Sequence, residues 1–303
     1  MEDVEVRRPT LADADGVASL LVERDRIDFG EVDGLAITGD LLRNWWGMNE
    51  ARLATDVWVA ARNGEVVGYA SVDRDGDDLA NLADESCVHP AARGIGLGSH
   101  LLELSEEWAR SRGLARFHVH VVNEDGRRLV ERRGHRLVRF FWRMEVVVDD
   151  RSEPEPPAGV TIRGYRPGED DEQLHAAVQR GFAEHWEFTP ETLEEWMKRA
   201  RRSDYDPSLW RVAEEQGEII GAALCFGEDD SGWVLELAVR PESRRAGLGL
   251  ALLRSGFAAL AARGHTHVGL EVDSENETGA TRLYERAGMR VTRRYATYEK
   301  RLA

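Results

Sequence analysis

Two short glycine-rich runs carry the clearest chemistry in this sequence. They are Arg244-Arg245-Ala246-Gly247-Leu248-Gly249 and, in the first half, Arg93-Gly94-Ile95-Gly96-Leu97-Gly98. Each lies between the end of an apolar strand, at Val239 and at Val88, and an amphipathic helix expected to open near Leu250 and Ser99. Glycine lets the backbone take positive φ and approach an anion closely, and the following helix offers unpaired N–H groups and the positive end of its dipole. Together these make a pyrophosphate cradle, to which the arginine adds a charge-assisted bond. A P-loop would need Lys-Ser/Thr after its last glycine, where Leu250 and Ala251 stand. A dinucleotide fingerprint would need G-x-G-x-x-G, which neither run supplies. A helix start that merely tolerates glycine is the plain alternative; recurrence of the run in two equivalent contexts argues against it.

The elements that position these runs are themselves duplicated. VEVRRPTLADADGVASLL (4–21) matches VTIRGYRPGEDDEQLHAAV (160–178): an alternating strand, a Pro turn and an acid-rich helix start. VWVAARNGEVVGYASV (57–72) and LWRVAEEQGEIIGAALCF (209–226) each read as a hairpin around Asn-Gly or Gln-Gly. ESCVHPAARGIGLGSHLLELSEEWARSRG (85–113) matches ELAVRPESRRAGLGLALLRSGFAALAARG (236–264), a strand, the glycine run and a helix closed by Gly. A further strand, helix and strand finish each half. DDRSEPEPPAG (149–159), polar and Pro-rich, reads as an exposed linker. The expected organisation is a domain over 1–148, the linker, and a second domain over 160–303, each an α/β (α+β) unit with a mixed, mostly antiparallel twisted sheet flanked by helices.

Composition bounds the partners. At 303 residues the chain suits two domains. A formal charge of -16 and a pI near 5.1 would repel a phosphate backbone, so nucleic acid is not an expected partner. No apolar run reaches the roughly 20 residues a membrane helix needs, and the start MEDVEVRR lacks a signal-peptide apolar region, so a soluble cytoplasmic protein is expected. Cys87 and Cys225 lie in strand-like stretches without ligand spacing and read as small buried hydrophobes, with no disulfide or zinc site. His118/His120 and His265/His267 form i,i+2 pairs without an evident third ligand, so no metal is expected.

The pattern R-x-x-G-x-G between a V-x-P strand end and a helix resembles the acetyl-CoA loop of the GNAT superfamily, and the order of elements in each half is similar to that fold throughout. In the second half the resemblance extends to Asn276-Glu-Thr-Gly-Ala280-Thr-Arg-Leu-Tyr284-Glu-Arg-Ala-Gly288-Met289, with Met289 where the family signature has Phe. Within the superfamily, the tandem layout and the stretch 181–210 are similar to the mycothiol synthases. The resemblance implies acetyl-CoA as co-substrate and backbone pairing of Leu237, Ala238 and Val239 with the pantetheine arm. It also implies that Arg244, Arg245, Ala246, Gly247, Leu248, Gly249 and Leu250 hold the pyrophosphate, with Asn276 on the far side of the pantetheine. The matching positions of the first half are Val88, Arg93, Gly94, Ile95, Gly96, Leu97, Gly98 and Ser99.

The resemblance further implies direct attack of an amine on the thioester in a ternary complex. Tyr284 stands where the family's thiolate-protonating tyrosine stands, and Glu236, on the strand leading to the loop, is a candidate base acting through water. A tyrosine packed on the sheet and a solvated strand glutamate are the plain readings of the same residues. The first half carries Val130 in place of Tyr284 and Glu85 in place of Glu236. A valine donates no proton, so the first half is expected to bind an acetyl-CoA-like ligand at most. Trp45-Trp46 and His185-Trp186 fall either in the acceptor pocket or in the core. The expected function is acetyl transfer to a primary amine of a small molecule, by a monomer or homodimer. A non-catalytic acyl-CoA sensor and a protein N-acetyltransferase are the alternatives; retention of the Asn276, Leu283, Tyr284 and Glu285 run argues against a mere binder.

Overall fold

The computed structural model describes all residues except 1, 2, 31–36, 49, 84, 201–205, 229, 245, 246, 277 and 303. The first half runs β1 (Glu5–Arg7), α1 (Ala14–Phe29), α2 (Gly39–Met48), α3 (Ala51–Thr55), β2 (Val57–Arg62), β3 (Glu65–Asp75), β4 (Leu79–Leu82) and β5 (Cys87–Val88). It continues through α4 (Leu97–Ser111), β6 (Arg116–Val121), α5 (Glu124–Arg132) and β7 (Arg136–Val147). The second half runs β8 (Thr161–Gly164), α6 (Asp171–Phe182), α7 (Leu193–Ala200), β9 (Arg211–Glu215), β10 (Glu218–Glu228) and β11 (Ser231–Val239). It ends with α8 (Leu248–Ala262), β12 (His267–Asp273), α9 (Ala280–Arg286) and β13 (Arg290–Arg301).

The two hairpins form at the expected dipeptides. Asn63-Gly64 and Gln216-Gly217 both take positive φ at each central residue, the geometry of a two-residue turn whose twist suits antiparallel strands. In unit 1 the sheet order is β1-β2-β3-β4-β6-β13, antiparallel except for the parallel β4–β6 pair, with β5 continuing the ladder along β3. In unit 2 the order is β8-β9-β10-β11-β12-β7, antiparallel from β8 to β11 and parallel between β11 and β12. Each half thus has the expected mixed, mostly antiparallel sheet with helices against it.

The compact units depart from the repeat at its last strand. Unit 1 comprises residues 1–141 and 293–303, and unit 2 residues 142–292. The strand beside β6 in unit 1 is therefore β13, from the end of the chain, with Ala296 facing Val121 and Arg301 facing Arg116. Burial explains the arrangement: Tyr298 is in the unit 1 core with Phe117 and Val119, whereas Met144, in the second part of β7, is fully buried in the unit 2 core with Val268 and Leu270. Periodicity fixes that a strand closes each half but not which sheet receives it. Residues 149–159 belong to unit 2 and do not run free, since Ser255 Oγ on α8 donates to Glu153 at 2.6 Å.

In unit 1, α4 packs Leu97, Leu101, Leu102 and Trp108 onto the sheet, and α1 and α2 form a second apolar cluster with Val59 and Tyr69. In unit 2, α8 is apolar nearly all round, as a helix enclosed on most sides must be. Cys225 is buried there and Cys87 half-buried, both as free thiols pushed up by burial, to about 12 and about 11. Among the described residues no helix is long and apolar enough to cross a membrane.

Candidate active site

A bulge in β11 sets the geometry of unit 2. Leu224 faces Glu236 and Cys225 faces Val234, so Leu235 is an extra residue pushed out of the ladder. On its other edge β11 pairs in parallel with β12 only through Ser231↔His267, Gly232↔Val268 and Trp233↔Gly269. Beyond Trp233 the two strands diverge among the described residues, while pairing with β10 continues to Val239. Successive peptide groups of a strand point to alternate sides, so between Leu235 and Val239 those turned away from β10 face an open wedge. Such an edge can pair with the amides of an extended ligand. Leu237, Ala238 and Val239 all lie on this stretch; Ala238 is buried and Leu237 packs toward Leu248 and Leu252.

The glycine run closes the wedge. The chain turns through Pro241–Ser243, and Gly247 (φ 95°) caps α8 with no side chain among the described residues serving its N–H groups. Among the described residues the first intrahelical bond is Ala251 N–H to Gly247 C=O at 2.8 Å, and no described group accepts from the N–H groups of Leu248, Gly249 and Leu250 at the helix start. The helix opens at Leu248, two residues before the expected Leu250, so Gly249 is inside its first turn rather than in the loop. A Cβ on Gly249 would lie 2.7 Å from Leu283 Cδ1, so this glycine seats α9 against α8. The Leu248 side chain is fully buried and only its backbone can meet a ligand. Arg245 and Ala246 lie outside the described residues. Arg244 donates from Nη1 to Glu184 at 2.7 Å and from Nη2 to the Gly181 carbonyl at 3.3 Å, and Glu184 is half exposed. A carboxylate partner for this arginine is a feature the sequence reading missed; an acid just past the end of α6 is its only trace.

Tyr284 is carried by α9 and buried to 8 % exposure; burial pushes its hydroxyl up to about 12, so it holds its proton at neutral pH. Glu236 stands beside the bulge, half-buried, on the same face of β11 as Ala238. The Asn276 side-chain oxygen accepts from the Thr278 N–H at 2.8 Å and from its hydroxyl, while its amide nitrogen has no hydrogen bond among the described residues. His185 packs edge-on to Phe182 at 4.4 Å; burial, helped by Arg244, lowers its pKa and keeps it neutral.

Unit 1 repeats the frame with different chemistry. β4 runs parallel to β6 from Leu79↔Arg116 to Leu82↔Val119, and Cys87–Val88 pairs only with β3, so a wedge forms here as well. Gly94 (φ 80°) and Gly96 (φ 91°) lead into α4, whose first bond is His100 N–H to Gly96 C=O, so the N–H groups of Leu97, Gly98 and Ser99 point outward. Gly98, like Gly249, lies inside the first turn, 3.3 Å from Leu129 Cδ2 for a Cβ placed there. Ile95 is exposed in the loop. Arg93 makes a bidentate pair with Asp28 at 2.7 and 3.0 Å. Val130, at the Tyr284 position, is buried in the core. Glu85 sits in the break between β4 and β5. Trp46 is a core residue stacked on Tyr69, which resolves its reading; His118 and His120 pair with Glu299 and Thr297. His265 precedes β12 and so does not share a strand face with His267.

The chain matches the acetyltransferase (GNAT) family twice, over residues 21–135 and 172–289. It is 36% identical over 231 residues to a mycothiol acetyltransferase of Thermobispora bispora, covering 71% of this chain and 77% of that one. Among solved structures, a GCN5-related N-acetyltransferase from Sphaerobacter thermophilus superposes with a TM-score of 0.87 at 32% identity, covering 99% of this chain and 96% of that chain. A tandem GNAT protein from the clavulanic acid biosynthesis pathway shares the fold, with a TM-score of 0.72 at 17% identity over 98% of both chains.

Proposed function

This chain belongs to the acetyltransferase (GNAT) family and is an acetyl-CoA-dependent N-acetyltransferase; from that premise we propose that unit 2 holds the reacting centre and that the acceptor is a primary amine on a small molecule. The observation that carries the reading is the wedge between β11 and β12 closed by the glycine-capped start of α8, with a buried tyrosine on the adjoining helix. The co-substrate supplies an activated acetyl group as a thioester. The residues 237–239 pair with its pantetheine amides, Asn276 donates to it from the far side, and the N–H groups of Leu248, Gly249 and Leu250 take its pyrophosphate. Arg244 adds a charge-assisted bond when it turns from the exposed Glu184 to the phosphate.

Glu236 accepts a proton from the amine through water as the new C–N bond forms. A backbone N–H of the open β11 edge donates to the carbonyl oxygen as it gains negative charge. Tyr284 gives its proton to the sulfur as the C–S bond breaks and recovers one from solvent. Unit 1 cannot supply that proton, because Val130 occupies the matching position. The chain's acidity favours a cationic acceptor. The similarity to a mycothiol acetyltransferase supports a mycothiol-related small molecule.

Free-thiol release from acetyl-CoA with a panel of small amines tests this. Tyr284→Phe should lower kcat about a hundredfold, the size of a general-acid contribution, with KM for acetyl-CoA little changed. Equal turnover in the two proteins would remove Tyr284 from the mechanism.

A further inference from the structure

The two glycine loops share a backbone but differ in what holds their side chains. In unit 2 Arg244 meets a single oxygen of a half-exposed carboxylate and, more loosely, the Gly181 carbonyl, and the Asn276 amide nitrogen is unengaged among the described residues. In unit 1 both corresponding groups are taken by one buried acid. Asp28, in the last turn of α1, is 6% exposed in its side chain. It receives two hydrogen bonds from Arg93, at 3.0 and 2.7 Å, and a third from Asn123 Nδ2 at 2.9 Å. Asn123 is the residue that matches Asn276, and its oxygen is also committed, accepting from the Gly126 N–H to cap α5. Next to this group Asp25 binds Arg24 and, at 2.8 Å, Arg293, all three buried.

We propose that Asp28 is an internal substitute for the ligand's anion, so that the chain binds one coenzyme A, in unit 2, and unit 1 keeps its loop as structure. The inference rests on the reading of unit 2 as the acyl-donor site. A phosphate entering unit 1 would have to displace a carboxylate from a bidentate arginine. It would leave that carboxylate buried and without its partners, a large penalty for a desolvated charge. It would also meet the negative charge of Asp28 directly. At Glu184 the same exchange releases an exposed carboxylate to water, where losing a surface pair matters little. The expected gap in affinity between the loops is about a hundredfold or more.

Titration calorimetry of the full chain with coenzyme A, joined to hydrogen exchange of the same samples, tests the proposal. One equivalent is expected, with amide protection at 247–250 and none at 94–99. Two equivalents of similar affinity, or protection at 94–99 at the same concentration, would overturn it while leaving the reading of unit 2 intact. No binding at all would remove that reading and this inference with it. In Asp28→Asn, Arg93 and Asn123 lose the competing charge, and a second, weaker equivalent with protection at 94–99 should appear. If the folded variant, checked by its thermal melt, still takes one equivalent, Asp28 is not what closes unit 1. The wild-type stoichiometry decides the matter even if this variant does not fold.

Discussion

A methyl group on Gly249 would lie 2.7 Å from Leu283 Cδ1, closer than packed carbons tolerate. The glycine that reads from the sequence as part of an anion loop therefore has a second purpose, to let the helix bearing Tyr284 rest against α8. Gly249→Ala should destabilise unit 2 by about 1–2 kcal/mol as Leu283 shifts, measured by urea unfolding. Gly98→Ala, with 3.3 Å to Leu129, should be milder. An order of effects reversed between the two would show that this contact does not set the seat of α9. At this scale the sequence exposes the glycines at positive φ and the tyrosine, because spacing and residue type define them. Asp28 and Glu184 stayed hidden, since an acid in or just past the end of a helix looks like any solvated acid until tertiary structure brings an arginine to it.

Among the elements, hairpins, the central helix and its glycine cap follow directly from local pattern, because turn chemistry and apolar periodicity are properties of neighbours in sequence. The bulge at Leu235 and the divergence of β11 from β12 do not, as both depend on which strand lies alongside. The docking of β13 in unit 1 is similarly non-local. Lys300 reaches the fully buried Glu106 on α4 at 2.8 Å; burial alone would raise that carboxyl, but Lys300 and Arg133 outweigh it and hold it below its ordinary range. His135, at the start of β7, is buried beside the same group, and burial pushes it down from 6.5 to about 4. The unfolded chain therefore takes up a proton at His135 before the folded one does, and stability falls as pH drops from about 6.5 to about 4. The loss can reach ~3 kcal/mol, and below that range this residue adds no further slope. His135→Phe, which keeps the edge contact with Phe117, should flatten that part of the stability profile in chemical denaturation at stepped pH. An unchanged slope would mean that His135 is protonated in the folded protein.

For the whole molecule, the duplication was readable from sequence but the boundary between units was not. Linker composition points to a cut at 149–159, whereas the compact units divide within β7 and β13. The fragment 160–303 lacks the strand that lies beside β12, and the fragment 1–148 lacks the strand that covers β6. Each should expose an unpaired edge and tend to associate, because open edges recruit further strands. Size-exclusion chromatography and thermal melts of the separate fragments check this. A cooperative, monomeric melt of either fragment alone would count against it.

The strand that completes unit 1 also imposes a timetable on the nascent chain. Residues 293–303 leave the ribosome about 150 residues after the rest of their unit, a wait of roughly 8–30 s at ordinary elongation rates. Throughout that interval β6 has an open flank that a chaperone would recognise, and any product that stops before residue 293 has its first-made portion unfinished. A halt within unit 2 is thus registered in unit 1, which was made before it.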